Sequence, residues 1–127
     1  MMIRYAYNRQ AEPPAPFVHV SLRRPDGASS MDDLPAQIDT AADRTVIPGA
    51  LVARLGLIPL DELPVVGFGG QVLLVPTYFV ELTVRGQPPC PVEIPAHEGE
   101  PHVLLGRDVL NRHRVLLDGP GLALEIG

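Results

Sequence analysis

The sequence predicts a small all-β domain carrying two short helices. Short runs alternate between apolar and polar side chains, the period of a half-buried strand. Fifteen prolines and twelve glycines among 127 residues cut those runs apart, and the proline share is more than twice the usual ~5%. Little uninterrupted chain is left in which a long helix could form.

The elements follow in order. Met2 to Asn8 (MIRYAYN) alternates Ile3, Tyr5 and Tyr7 against Arg4, Ala6 and Asn8, a short strand. Ala11 to Pro16 (AEPPAP) reads as a stiff, extended spacer, because proline fixes φ and donates no hydrogen bond. Phe17 to Leu22 alternates again, with Val18, Val20 and Leu22 on one side. The stretch PDGASSMDD has turn and loop chemistry. Pro35 to Ile38 enters the polar cluster Asp39 to Arg44, and Thr45-Val46-Ile47 resumes a strand. A helix is expected over Ala50–Leu55, with Pro48 at its entrance and Gly56 just past its end. Val65-Val66 and Val72 to Val75 flank a glycine-rich hairpin tip, Gly67 to Gln71. Thr77 to Val84 is a strand closed by the turn Arg85-Gly86-Gln87, Val92 to Ile94 a further strand, and His97 to Pro101 a loop. Val103-Leu104-Leu105 runs into Gly106. One or two helical turns follow over Arg107–His113, with Asp108 in the first turn and Arg112 to Arg114 in the last, as the helix dipole favours. Asp118-Gly119-Pro120-Gly121 joins Val115-Leu116-Leu117 to Leu122–Ile126 in a closing hairpin. The organisation expected is an N-terminal strand and proline-rich spacer over 1–16 and a single domain over 17–127.

Ten basic against fifteen acidic side chains leave a charge of −5, which argues against nucleic acid or an anionic membrane as partner. One cysteine forms no internal disulfide, no apolar run nears the ~20 residues of a membrane span, and the start MMIRYAYNRQ lacks a secretory core. A cytoplasmic location is the expectation.

Two segments carry chemistry. In PAQIDTAADRTVIP a strand ends in an acid and a hydroxyl, crosses two alanines too small to shield them, and enters another strand. Alone, such a loop is most often a turn whose Asp39 and Thr40 bond nearby backbone. The second segment, HVLLGRDVLNRHRVLLDG, places apolar-apolar-Gly before a short helix about sixty residues later, with the glycine-tipped hairpin between them.

That order resembles the retropepsin-like aspartic proteases, in which a D-T/S-G-A loop follows a strand, a hairpin flap covers the site, and a hydrophobic-hydrophobic-Gly segment leads into the main helix. Asp39-Thr40-Ala41-Ala42-Asp43 matches the first, Gly67 to Gln71 the flap tip, and Leu104-Leu105-Gly106-Arg107-Asp108 the last. The resemblance covers Phe17 to Ile126. It implies an all-β, closed barrel-like acid-protease lobe with one or two short helices. It also implies peptide-bond hydrolysis by two aspartates sharing a proton. Only one Asp-Thr pair is present and there is no internal repeat, so the resemblance implies a homodimer with Asp39 from each subunit at the two-fold axis. Terminal segments such as Met2–Tyr7 or Leu122–Ile126 would add strands across that axis. Thr40 would reach over the axis and hold the acids in register. Ala41, Ala42, Asp43, Phe68, Gly69 and Gly70 would line the peptide cleft. Leu104, Leu105, Gly106 and Arg107 would support the loop, with Arg107 paired to Asp43. No metal or organic cofactor is implied. The partners are a second subunit and a peptide or protein substrate, with no nucleic acid and no membrane.

One position departs from the family pattern: the third motif residue is Ala41 where the family has glycine. It favours a second reading, a dimer that binds peptides without cleaving them, whereas the intact Asp39-Thr40 favours the enzyme. Other motifs fail on spacing. Gly67 to Gly70 lacks the pattern and the Lys of a phosphate loop. His97 and His102 are five apart, with Gly99 and Pro101 opposing the helix a zinc site needs. Cys90 lies among prolines with no evident base. Ser29 and Ser30 lack a nucleophile elbow, and His19 and His113 read as packing or dipole partners.

Overall fold

The computed structural model describes residues 2–67 and 69–127. Phe68, expected at the hairpin tip, lies outside them. The chain runs β1 (Ile3–Ala6), β2 (Phe17–Arg23), β3 (Ser30–Ile38), β4 (Ile47–Pro48), α1 (Gly49–Leu55), β5 (Asp61–Val66), β6 (Val72–Val84), β7 (Cys90–His97), β8 (Val103–Leu105), α2 (Arg107–Leu110), β9 (Val115–Asp118) and β10 (Ala123–Ile126).

Two sheets result. One has three strands in the order β1-β10-β9, and the other seven, in the order β4-β7-β6-β2-β3-β8 with β5 paired to β6. Both paths are open, so the closed, barrel-like form implied by the resemblance is not what the pairing describes. The alternation read in β2 sets the core: Val18, Val20 and Leu22 are buried while the intervening side chains are not. Tyr78, Val80, Leu82 and Val84 of β6 join them with Ile94, Leu105, Leu124 and Ile126. Each such side chain contributes roughly 1.5–3 kcal/mol on leaving water.

Helix α1 forms as expected. Its apolar stripe buries Leu51 and Leu55, and Gly56 ends it at φ 66, a left-handed angle at which glycine carries no Cβ penalty. The hairpin also forms: β5 and β6 pair from Asp61↔Thr77 to Val66↔Val72. Its tip is closed by Gly67 N–H donating to Gln71 O at 2.9 Å and Gly70 N–H to Gly67 O at 3.1 Å. Among the described residues, no helix is long and apolar enough to cross a membrane.

Four expectations are corrected. Residues 11–16 are not an extended spacer, because Asn8 and Ala15 exchange backbone bonds of 2.8 and 3.1 Å and the chain between them folds back. Ser30 to Asp33 belong to β3 rather than to a loop: Ser30 and Met31 pair with Arg23 and Leu22, and Arg85 binds Asp33. Helix α2 stops at Leu110, so Arg112 to Arg114 lie beyond it. Met2–Tyr7 and Leu122–Ile126 pair with each other inside one chain, through β1 and β10. Because β10 also pairs β9, both of its edges are occupied and it has none to offer a partner.

Candidate active site

Strand β3 ends at Ile38, and its parallel neighbour β8 ends opposite at Leu105. This register delivers Asp39 and Gly106 side by side, each at the point where its strand leaves the sheet. The loop 39–45 is fastened there almost entirely by the segment 104–108. Asp39 N–H donates to Leu105 O at 3.0 Å, Arg107 N–H to Ala42 O at 2.9 Å, and Val46 and Leu104 exchange two bonds of 2.9 Å. Within the loop, Asp39 Oδ1 accepts the Ala41 N–H at 3.0 Å.

A polar knot anchors the base of the loop. Thr45 is fully buried. Its Oγ1 accepts the Gly106 N–H at 3.0 Å and donates to Asp108 Oδ1 at 2.7 Å. The same carboxylate oxygen takes the N–H groups of Thr45 and Val109, each at 2.9 Å. Burying a hydroxyl and a carboxylate oxygen is costly unless they are bonded, and here each satisfies the other. Asp108 stands in the first turn of α2, as expected, and adds these specific bonds to the loop. Gly106 is required for space. A Cβ there would lie 2.4 Å from the carbonyl carbon of Arg44 and 2.5 Å from its oxygen.

Leu104, Leu105 and Gly106 thus stand where the support role was expected. Arg107 also supports the loop, but not through Asp43. Its Nη1 donates to the carbonyls of Thr40 at 2.9 Å and Ala41 at 3.1 Å, and no Arg107–Asp43 ion pair occurs among the described residues. Asp43 instead offers its backbone carbonyl to Asp108 N–H at 3.3 Å. Ala41 does not occupy a strained angle, because positive φ outside glycine is confined to Asp33 and Leu122 among the described residues.

Thr40, Ala41 and Asp43 are exposed, and Asp39 and Ala42 half-buried. The hairpin stands over a neighbouring cleft of about 220 Å³, lined by Val46, Val65, Gly67, Leu73, Val75, Pro95, His97 and Glu100. Asp39 does not line it, nor do Gly69 and Gly70, which sit at the tip with φ 93 and 80. His97 and Glu100, read from sequence as a solvated acidic loop, belong to that lining. Thr45 and Asp108 were also missed as a pair. Each has an ordinary local reading, and 63 residues separate them.

No protein-family model and no curated protein matches the sequence. Solved structures do match. A retropepsin-like aspartic protease from Rickettsia conorii superposes with a TM-score of 0.67 at 13% identity, over 99% of this chain and 90% of that one. The EIAV protease, solved with the inhibitor HBY-793, superposes with a TM-score of 0.55 at 22% identity, over 85% of this chain and 93% of that one. The chain has the retropepsin-like fold.

Proposed function

We propose that the protein is an aspartic endopeptidase that works as a homodimer, each subunit contributing one Asp39. The carrying observation is the investment of the fold in one exposed loop. Carbonyls at Thr40, Ala41, Ala42 and Asp43 are all held by the segment that begins α2, while the side chains of Thr40 and Ala41 face solvent. Firm support beneath a half-buried acid on an exposed loop is what positioned catalysis requires.

In the proposed reaction, two Asp39 carboxyls meet across a two-fold axis and share one proton, since like charges that close resist joint ionisation. The ionised carboxylate takes a proton from a water held between them. The water oxygen adds to the peptide carbonyl carbon as the protonated carboxyl gives its proton to the carbonyl oxygen. Collapse of the tetrahedral intermediate breaks the C–N bond, and the amine leaves with a proton returned from the dyad. Thr40 would hold the two loops in register. The β5–β6 hairpin would cover an extended peptide, whose side chains enter the apolar cleft beneath it. No metal or organic cofactor takes part.

The test is cleavage of a diverse peptide library by wild type and Asp39→Asn, each weighed in solution, with and without a transition-state-mimicking aspartic-protease inhibitor. The amide keeps the shape but cannot act as base, so cleavage should be lost while the dimer remains. Undiminished cleavage by the variant overturns the mechanism.

A further inference from the structure

The cleft beneath the β5–β6 hairpin is walled mainly by apolar side chains, Val65, Leu73, Val75 and Pro95 among them, yet Glu100 also lines it, half-buried. Among the described residues no hydrogen bond or ion pair engages the Glu100 carboxylate, and no Lys or Arg lines the cleft. The other titratable side chain there, His97, is engaged elsewhere, its Nδ1 accepting the Gly99 N–H at 3.0 Å.

The backbone that carries this carboxylate is held. Glu100 N–H donates to His97 O at 3.2 Å, closing the turn after β7, and Pro101 restricts the residue before it. The cleft is also tied to the candidate acid. Val46 lines it and exchanges backbone bonds with Leu104, while Asp39 N–H bonds the next residue, Leu105. Consecutive residues of β8 therefore carry the cleft wall and the loop that presents Asp39.

Charge decides what such a cleft accepts. A carboxylate beside apolar walls is costly to strip of water unless it gains a partner. A purely apolar side chain would strip the water and supply none, and an acidic one would be repelled. Arginine and lysine meet both demands, since their aliphatic stems lie along apolar surface while the charged head reaches a polar group. Once the hairpin covers a peptide, exclusion of water strengthens the attraction between head and carboxylate.

We infer that the cleft beneath the hairpin selects peptides carrying an arginine or lysine side chain, with Glu100 reading its charge. This selectivity rests on the peptidase reading of the Asp39 site, to which it adds a substrate class.

The test uses apolar peptides in which a single arginine is moved along the chain, each matched by peptides with citrulline or glutamate at that place. Citrulline keeps the length of arginine and loses its charge. At one position wild type should favour arginine over citrulline in kcat/KM by about fivefold or more, and lysine should serve in its place. That ratio should fall as salt is raised, because ions screen a partly exposed pair. Glu100→Gln should bring the ratio close to one, and Glu100→Arg should favour glutamate over arginine. Glu98, whose carboxylate packs against Gly49 and does not line this cleft, is the control, and Glu98→Gln should keep the arginine preference. Equal rates for arginine and citrulline at every position, a preference indifferent to salt or to Glu100→Gln, or one lost equally in Glu98→Gln overturns the selectivity and leaves the peptidase reading standing. If no peptide is cleaved, fluorescence anisotropy makes the same comparison for binding. An arginine preference removed by Glu100→Gln then upholds the selectivity while the peptidase reading fails, and binding without that preference, or no binding, overturns both.

Discussion

Replacing Gly106 with alanine isolates the contact between the two motif segments. The glycine has φ −95 and ψ −177, angles any residue adopts, so the only change is the added methyl. That carbon would stand 2.4 Å from the Arg44 carbonyl carbon, 2.5 Å from its oxygen and 2.8 Å from Thr45 N. All three are backbone atoms, so relief requires the loop and β8 to part by roughly 1 Å. Bonds of 3.0 Å from Gly106 N–H to Thr45 Oγ1 and from Asp39 N–H to Leu105 O would stretch past useful length. Overpacking costs about 1–3 kcal/mol and each lost bond about 1 kcal/mol, so the loss should reach about 3–5 kcal/mol. For a chain of this size that is a fall in melting temperature on the order of 10 °C or more. Urea and thermal unfolding followed by circular dichroism would measure it, with Gly119→Ala as control, since nothing lies within 4 Å of a Cβ there. A Gly106→Ala protein within 0.5 kcal/mol of wild type, on the scale of an ordinary surface substitution, would show that the described approach does not hold the loop.

Three further outcomes are expected. Ala41→Gly should cost about 0.4–1 kcal/mol through the greater freedom of the unfolded chain and keep or raise peptide turnover. Steady-state kinetics with melting curves would check both, and a clear drop in turnover with the fold intact would contradict it. Burial pushes the Cys90 thiol up, so its reaction with a disulfide reagent near pH 8 should be markedly slower in the native protein than in denaturant; equal rates would refute this. Burial, aided by Arg112, lowers the pKa of His113, so around pH 6 the unfolded chain binds more protons than the folded one. The resulting stability is present above about pH 6.5 and lost as pH falls through the lower folded value. His113→Gln should therefore narrow the difference in melting temperature between pH 7 and pH 5, and an unchanged difference would count against it.

Legibility followed the range of the interactions. The buried face of β2, the helix stop at Gly56 and the hairpin around Gly67 to Gln71 depend on neighbours a few residues away, and periodicity or turn chemistry records them. The start of β3 was hidden because Ser29 to Asp33 has turn composition, while its strand state comes from pairing with β2 and from Arg85. Ordering Asp-Thr-Ala-Ala before Leu-Leu-Gly indicated that the two segments belong together. It did not indicate how, because the joining atoms are a threonine hydroxyl, an aspartate oxygen and a missing Cβ. Arg107 was placed correctly at the loop and given the wrong partner: an arginine near an acid invites an ion pair, whereas the backbone carbonyls of Thr40 and Ala41 leave no trace in sequence.

The clamp on the Asp39 loop also has a meaning for biosynthesis. Residues 39–45 leave the ribosome well ahead of residues 104–108, which carry most of their fastenings. A nascent chain ending short of that point lacks Leu105, Gly106, Arg107 and Asp108, so the loop has no frame to settle into. Chains grow at roughly 5–20 residues per second, which leaves the acid unframed for several seconds of synthesis. The loop takes its frame only once residues 104–108 have been made.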